Sequence, residues 1–257
     1  MSQKLPTRHQ KVAKLLISQP EPTNGNSPYF KLAEKYGMDV EFKQFIQIEG
    51  ISLKEFRKEK INFLDYTAVV FTSRNAVDHY FRICKEMGMD MPVDMKYFCV
   101  SDQYANYLQK YITIRKRKMF TGFKTAKDLI EVIKKHPEEK FMFPCSDIRK
   151  AEIPRFMKEN GIEHKEAVLY RTVAADLSQV DINKFDMVAF FSPSGVSSLK
   201  TNFPKFEQMG VRIAAFGPTT AKAVLDNGLE LDIEAPMPNA PSMTGAIELY
   251  VKEINNI

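Results

Sequence analysis

The segment Val-Val-Phe-Thr-Ser-Arg-Asn-Ala-Val at 69–77 returns at 188–196 as Val-Ala-Phe-Phe-Ser-Pro-Ser-Gly-Val, and this repetition constrains the fold more than any other feature of the chain. Each copy is a short apolar run, a serine where the run stops, and then residues at helical spacing. An apolar run of that length fits a strand buried on both faces, the environment of a parallel sheet covered by helices. Ser73 and Ser192 stand where the following helix needs a cap, because a serine oxygen accepts a bond from an otherwise unpaired amide of the first turn. Two strand–cap–helix units imply two similar α/β lobes. In such sheets ligands bind beyond the carboxyl ends of the strands, so the cleft between the lobes is the expected site.

A chain of 257 residues accommodates two lobes of roughly 100–150 residues each. Strand-like runs fall at 12–18, 66–73, 96–101, 140–146, 187–192, 211–217 and 229–235. Helical patterns cover 75–87, 102–111, 125–136, 148–160, 194–202, 219–227 and 242–254. Gly88, Gly161 and Gly228 each follow a helical pattern, where a left-handed cap favours glycine. Two segments break the rhythm. Val40, Phe42, Ile46 and Ile48 alternate with polar positions, and Val168, Tyr170 and Thr172 share one face while Leu169 and Arg171 share the other. Such alternation marks half-exposed strands of an antiparallel ladder. The expected architecture is α/β: two parallel-sheet, three-layer lobes of flavodoxin-like type, one nested in the other, joined by a two-stranded antiparallel ladder. The expected boundaries are 1–38 with 174–257 for lobe one, 39–51 with 165–173 for the linker, and 52–164 for lobe two.

Composition narrows the class. Hydrophobic residues at 44% and charged residues at 27% are ordinary for a soluble globular protein. A net charge of +5 favours an anionic partner but is too modest to indicate nucleic acid. The densest basic run, Arg115-Lys116-Arg117-Lys118, follows Ile112 and Ile114 without interleaved aromatics and reads as a charged strand end. Cys84, Cys99 and Cys145 are scattered, with no Cys-x-x-Cys pair, and read as small core residues in a reducing compartment. His9, His79, His136 and His164 show no ligand spacing, so no metal site is expected. No signal peptide and no apolar stretch of the ~20 residues a membrane span needs is visible, so the expectation is a cytoplasmic protein without nucleic-acid or membrane partners.

The strand ends share a chemical character. Ser18, Ser73, Ser101, Ser146 and Ser192 each close an apolar run, and Gly217-Pro218-Thr219-Thr220 closes another. Each precedes a helical pattern, and a helix N-terminus presents unpaired N–H groups carrying about half a positive charge. Serine and threonine cap helices everywhere, but this number at one sheet edge suits a ligand with several negative groups. No Gly-x-Gly-x-x-Gly follows the first strand, and no Gly-x-x-x-x-Gly-Lys-Ser/Thr is present, which removes the usual nucleotide sites. Neither Gly-x-Ser-x-Gly nor His-Glu-x-x-His occurs. Ser192-Pro193-Ser194-Gly195 lacks a histidine base and reads as a capped helix start with proline in the first turn. Any chemistry must therefore rest on binding, orientation and a mild acid.

At Val188–Val196, with Ala214-Ala215-Phe216-Gly217-Pro218-Thr219-Thr220-Ala221, the chain resembles the uroporphyrinogen-III synthase family. Phe-Thr-Ser-Arg-Asn-Ala-Val at 71–77, Leu169-Tyr170-Arg171-Thr172 and Ala235-Pro236 agree with it, and the resemblance runs from Leu16 onward. It implies two α/β lobes on a two-stranded ladder and a linear tetrapyrrole polycarboxylate, hydroxymethylbilane, as substrate. It also implies cyclisation with loss of water and inversion of the last pyrrole ring, with no metal or organic cofactor and a monomer working alone. Residue by residue, Tyr170 matches the tyrosine beside the leaving hydroxyl. Thr219, Thr220, Ser194 and Gly195 match positions that meet substrate carboxylates through hydroxyls and backbone N–H groups. Ser73 and Arg74 would do the same from the other lobe, and Ser101, Ser146 and Ser192 complete the expected binding set. The chain departs from the family at Val100-Ser101-Asp102-Gln103-Tyr104-Ala105, where only the alanine fits a Gly-x-x-Thr-Ala-like turn and Asp102 is expected to turn away as a cap. The competing reading is a non-catalytic two-lobe module that senses an anionic metabolite, since hinged α/β lobes also serve that purpose.

Overall fold

Strands and helices alternate through the described residues, which are 11–23, 25–113 and 115–255 of this computed structural model; His9 and Ile114 lie outside them. In chain order the elements are β1 (Lys14–Ile17), α1 (Pro28–Tyr36), β2 (Asp39–Phe42), β3 (Ile46–Gly50), α2 (Leu53–Phe56), β4 (Ala68–Phe71), α3 (Arg74–Met87), β5 (Lys96–Cys99), α4 (Asp102–Tyr107) and β6 (Met119–Thr121). They continue as α5 (Ala126–Ile133), β7 (Phe141–Ser146), α6 (Glu152–Glu159), β8 (His164–Ala174), β9 (Met187–Phe190), α7 (Pro193–Asn202), β10 (Arg212–Phe216), α8 (Pro218–Asp226), β11 (Ile233–Ala235) and α9 (Met243–Ile254). The chain divides into two units, one made of residues up to Gln47 together with those from Val173 onward, the other of Ile48–Thr172.

The discontinuous unit holds a five-stranded sheet in the order β11-β10-β9-β1-β2, every neighbouring pair parallel. The continuous unit carries the order β3-β8-β7-β4-β5-β6, parallel from β8 to β6. Apart from β3, the two orders are the same order entered at different points: β9, β10, β11, β1 and β2 take the places of β4, β5, β6, β7 and β8. The repeated sequence segment therefore builds the same central strand, β4 in one sheet and β9 in the other. The fold is mixed α/β with two mostly parallel sheets.

Burial explains the apolar runs. All four residues of β4 are buried, and they divide by alternation. Val69 and Phe71 join the cluster containing Tyr80 and Leu169, whereas Ala68 and Val70 join the one containing Leu129 and Ile153. β9 does the same, with Met187 and Ala189 on one face and Val188 and Phe190 on the other. Two cores per sheet follow from helices covering both faces. Ser73 and Ser192 cap α3 and α7, accepting from the Ala76 and Gly195 amides at 3.0 and 3.2 Å. Gly88, Gly161 and Gly228 take the expected positive φ of 65°, 67° and 70°.

Several expectations need correction. Residues 39–42 do not join an antiparallel ladder; β2 lies parallel to β1, with Leu15 opposite Val40 and Ile17 opposite Phe42. Its alternation is that of an edge strand with one exposed face. Only β3 meets β8 in antiparallel fashion: the Ile51 amide donates to the Leu169 carbonyl at 3.0 Å and the Ala175 amide to the Phe45 carbonyl at 2.9 Å. β8 is longer than a linker strand because its first half also pairs in parallel with β7. Lys116–Lys118 forms a single helical turn just before β6, an edge strand of three residues too short to show a pattern. α1 was also not anticipated, although Ser27-Pro28 at its start and Gly37 at its end are ordinary helix signals. α6 begins at Glu152 rather than near 148, with Ala151 in the cap position.

Candidate functional site

In the continuous unit, the carboxyl ends of β4, β5, β7 and β8 open into a cavity of about 1250 Å³ lined by Ser73, Ser101, Ser146 and Tyr170 among others. Tyr170, only 7% exposed, is placed here by β8, whose register against β7 shifts between Cys145 and Ser146 so that Ser146 lies opposite Tyr170. The Tyr170 hydroxyl stands 3.0 Å from Ser73 Oγ. Burial pushes its phenol above the ordinary value, partly offset by the hydroxyl of Ser73. Ser73 Oγ already accepts from the Ala76 amide, which leaves its own proton for Tyr170 or a ligand. Ser101 occupies the cap position of α4, and its hydroxyl makes no hydrogen bond among the described residues. Ser146 instead turns to its neighbour, donating to the Asp147 carboxylate at 2.7 Å rather than capping a helix.

Arg74 is not among the lining residues; its guanidinium lies over the Tyr107 ring, 5.2 Å from the centroid. The Tyr107 hydroxyl in turn donates to Asp78 at 2.8 Å. Asp102, expected to turn away, lines the cavity and is exposed. The cations facing it are Lys124, Lys127 and Lys150, none anticipated from sequence, and Lys127 and Lys150 have no ion pair among the described residues. Arg149, by contrast, is paired with Glu166. Phe123 and Ile148, 79% and 62% exposed, give the same cavity an apolar rim. Burial pushes the Cys145 thiol up to about 12, so it is no nucleophile.

The other unit presents a different construction at the adjacent ends of β9 and β10. α7 starts Ser192-Pro193-Ser194-Gly195 and α8 starts Gly217-Pro218-Thr219-Thr220. Both prolines lack an amide hydrogen. The Gly195 amide is used by the Ser192 cap, and the Thr220 amide by the Gly217 carbonyl at 3.1 Å. Each helix thus leaves one second-residue amide, of Ser194 and of Thr219, without a hydrogen-bond partner among the described residues, each beside a hydroxyl. Thr219 is exposed, whereas Thr220 is buried at 1% beneath the first turn. Phe191 and Phe216 stack beside these turns, their centroids 6.3 Å apart. Gly217 adopts φ 85°, a conformation that lets α8 start directly from the strand end.

Among the described residues, the group of histidines and carboxylates close enough to hold a metal is His136, Glu138 and Glu139. It lies before β7, at the opposite end of the sheet from the cavity. The Lys96 ammonium is paired with Glu139 and stands 3.8 Å from Glu138, which already supplies the cation there.

A family model described as uroporphyrinogen-III synthase HemD matches residues 27–245. The chain belongs to this family. A uroporphyrinogen-III synthase of Saccharomyces cerevisiae is 30% identical over 137 residues, 48% of this chain and 50% of that protein, so the aligned part spans about half the length of that curated relative. Two solved structures share the fold at 15% identity. A uroporphyrinogen-III synthetase from Helicobacter pylori has a TM-score of 0.57 with 94% of this chain and 99% of that one covered. A mutant uroporphyrinogen III synthase from Thermus thermophilus has a TM-score of 0.52 with 95% and 100% covered. Membership in the uroporphyrinogen-III synthase family supports the synthase reading rather than a sensing module. No helix among the described residues is long and apolar enough to cross a membrane.

Proposed function

We propose that this chain is a uroporphyrinogen-III synthase that converts hydroxymethylbilane to uroporphyrinogen III, as a cytoplasmic monomer needing no metal or organic cofactor. The observation that carries the reading, beside family membership, is the Tyr170–Ser73 hydroxyl pair in a cavity ringed by helix N-termini and unpaired lysines. Tyr170 donates its hydrogen bond to the terminal hydroxyl and, as the C–O bond breaks, its proton, so that the oxygen leaves as water; the phenolate regains a proton from the one that the free α-carbon of the last pyrrole loses on closure. The resulting cation is attacked by the last pyrrole ring at its substituted carbon. The spiro intermediate then opens and recloses with that ring inverted. The protein's main contribution is to hold the chain in the one curl from which this attack occurs, catalysis by orientation.

Substrate carboxylates are met in two ways. In the continuous unit Lys124, Lys127, Lys150, Arg74 and the Ser101 hydroxyl supply charge and donors, while Phe123 and Ile148 pack against pyrrole edges. In the discontinuous unit the Ser194 and Thr219 amides and hydroxyls bind carboxylate at the positive ends of α7 and α8. Thr220, Gly195 and Ser192 shape those turns. Freshly prepared hydroxymethylbilane is supplied to the purified protein and the oxidised products are resolved by isomer. Type III above the uncatalysed background supports the proposal; type I alone overturns it.

A further inference from the structure

Against the ring of Tyr170 stands an imidazole that the proposed reaction does not use. The His79 ring lies against the Tyr170 ring with centroids 5.1 Å apart and planes inclined by 19°. Its Nδ1 accepts from Arg82 Nε at 3.2 Å, which leaves the proton on Nε2. Arg82 is anchored in turn: one terminal nitrogen donates to the Ile51 and Leu169 carbonyls at 2.8 and 3.4 Å, and the other pairs with Glu86 at 2.7 Å. Leu169 immediately precedes Tyr170. One guanidinium therefore holds the backbone beside the tyrosine and the ring stacked upon it.

His79, Arg82 and Glu86 are spaced by three and four residues on α3, one stripe of the helix that Ser73 caps. The same helix thus supplies both the hydroxyl partner of the phenol and the plate behind its ring. Space for this plate is made by Gly50 of β3. A β-carbon there would come within 2.8 Å of His79 Cε1 and Nδ1 and 2.9 Å of the Arg82 terminal nitrogen. Burial, with the Arg82 charge second, holds the imidazole below its ordinary range, so Nδ1 remains an acceptor at neutral pH.

We propose that His79 is a positioning residue for Tyr170: stacked on the phenol ring and tied to Arg82, it fixes the direction of the Tyr170 hydroxyl toward Ser73 and the cavity. This rests on the role given to Tyr170 above. A residue that only filled space behind the ring would affect stability, whereas a positioning residue acts on turnover and only through the hydroxyl it aims.

The test is a double-mutant cycle in the intact chain: wild type, His79→Leu, Tyr170→Phe and the double variant, with kcat and KM for type III formation and the thermal midpoint of each. His79→Leu is expected to lower kcat about threefold to tenfold with KM unchanged, the range a stacked aromatic pair supports. In the Tyr170→Phe background the same change is expected to cost nothing further. His79→Phe, which keeps a flat ring, recovers part of kcat. Gly50→Ala, which keeps the imidazole but crowds it, gives the same kcat-only loss and serves if His79→Leu does not fold. Equal loss in both backgrounds, an unchanged kcat in the single variants, or full turnover by Tyr170→Phe overturns the proposal. A wild type that yields only type I overturns the synthase reading itself, and the first arm shows that before any variant is made.

Discussion

Only a protonated phenol can donate to a departing hydroxyl, and burial keeps Tyr170 protonated beyond the ordinary range for tyrosine. Turnover should therefore show no loss from tyrosine ionisation below pH ~10. Tyr170→Phe should lower kcat on the order of 10²-fold with little change in stability, measured as type III isomer formed per second beside a thermal melt. A pH profile that falls in step with a single ionisation near 8 would show that another group does this work. On the proposed reading Arg74 meets a substrate carboxylate from outside the cavity lining. Its guanidinium rests on Tyr107, which is oriented by Asp78, so the charge is held out from the first turn of α3 instead of sweeping through solvent. Arg74→Ala should raise KM about tenfold and leave kcat nearly unchanged, as loss of one solvent-exposed charged contact would.

At the scale of the element, the loop between β6 and α5 is built stiffly around an exposed aromatic ring. Gly122 is wedged where a β-carbon would meet the Leu129 amide nitrogen at 2.8 Å and the Val100 carbonyl at 3.0 Å. Thr125 and Asp128 close the other side by capping each other's amides. Phe123 is therefore presented on a fixed loop, and Phe123→Ser should raise KM several-fold with no loss of thermal stability, a result read from one kinetic series and one melt. A second element contact reports on pH. Lys35 and the Tyr36 hydroxyl, both on α1, bond to Glu248 on α9 at 2.7 and 2.8 Å and hold its carboxyl down at about 2. A carboxylate depressed in the folded state adds stability above its unfolded value of ~4.3, and that stability is lost as pH falls toward 2. Denaturant melts of Glu248→Gln should differ from wild type at pH 6 and converge with it at pH 2.

For the molecule as a whole, the parts legible in sequence were those written in burial and capping. β4, β5, β7, β9 and β10 announced themselves because strands covered on both faces need unbroken apolar runs. Ser73 and Ser192 were legible as caps because cap chemistry is local. What escaped depended on neighbours far along the chain. β2 and β3 share one alternating pattern, yet one is a parallel edge strand and the other an antiparallel one, a difference set by their partners and not by their own residues. The lysines at 124, 127 and 150 looked like any solvated surface until the fold gathered them around one opening. His79 carried no ligand spacing; its meaning came from Tyr170, supplied by a strand more than half the continuous unit away. Thr220 was indistinguishable from Thr219 by type, and only the turn of α8 decided that one is covered.

The shared strand order, entered at different points, bears on the birth of the protein. Every strand of the continuous unit from β4 to β8 is made in one stretch and can close while later codons are still being read. β1 has to wait for β9, its partner from Leu15 to Met187, which at about 5–20 residues per second means on the order of ten seconds with one edge bare. A nascent chain stalled far enough past β8 for that strand to clear the ribosome, but before β9 emerges, should thus already shield 48–172 from protease, while its β1–α1–β2 piece is still cut. Among the described strands, the unit whose first strands are made earliest is the unit that closes last.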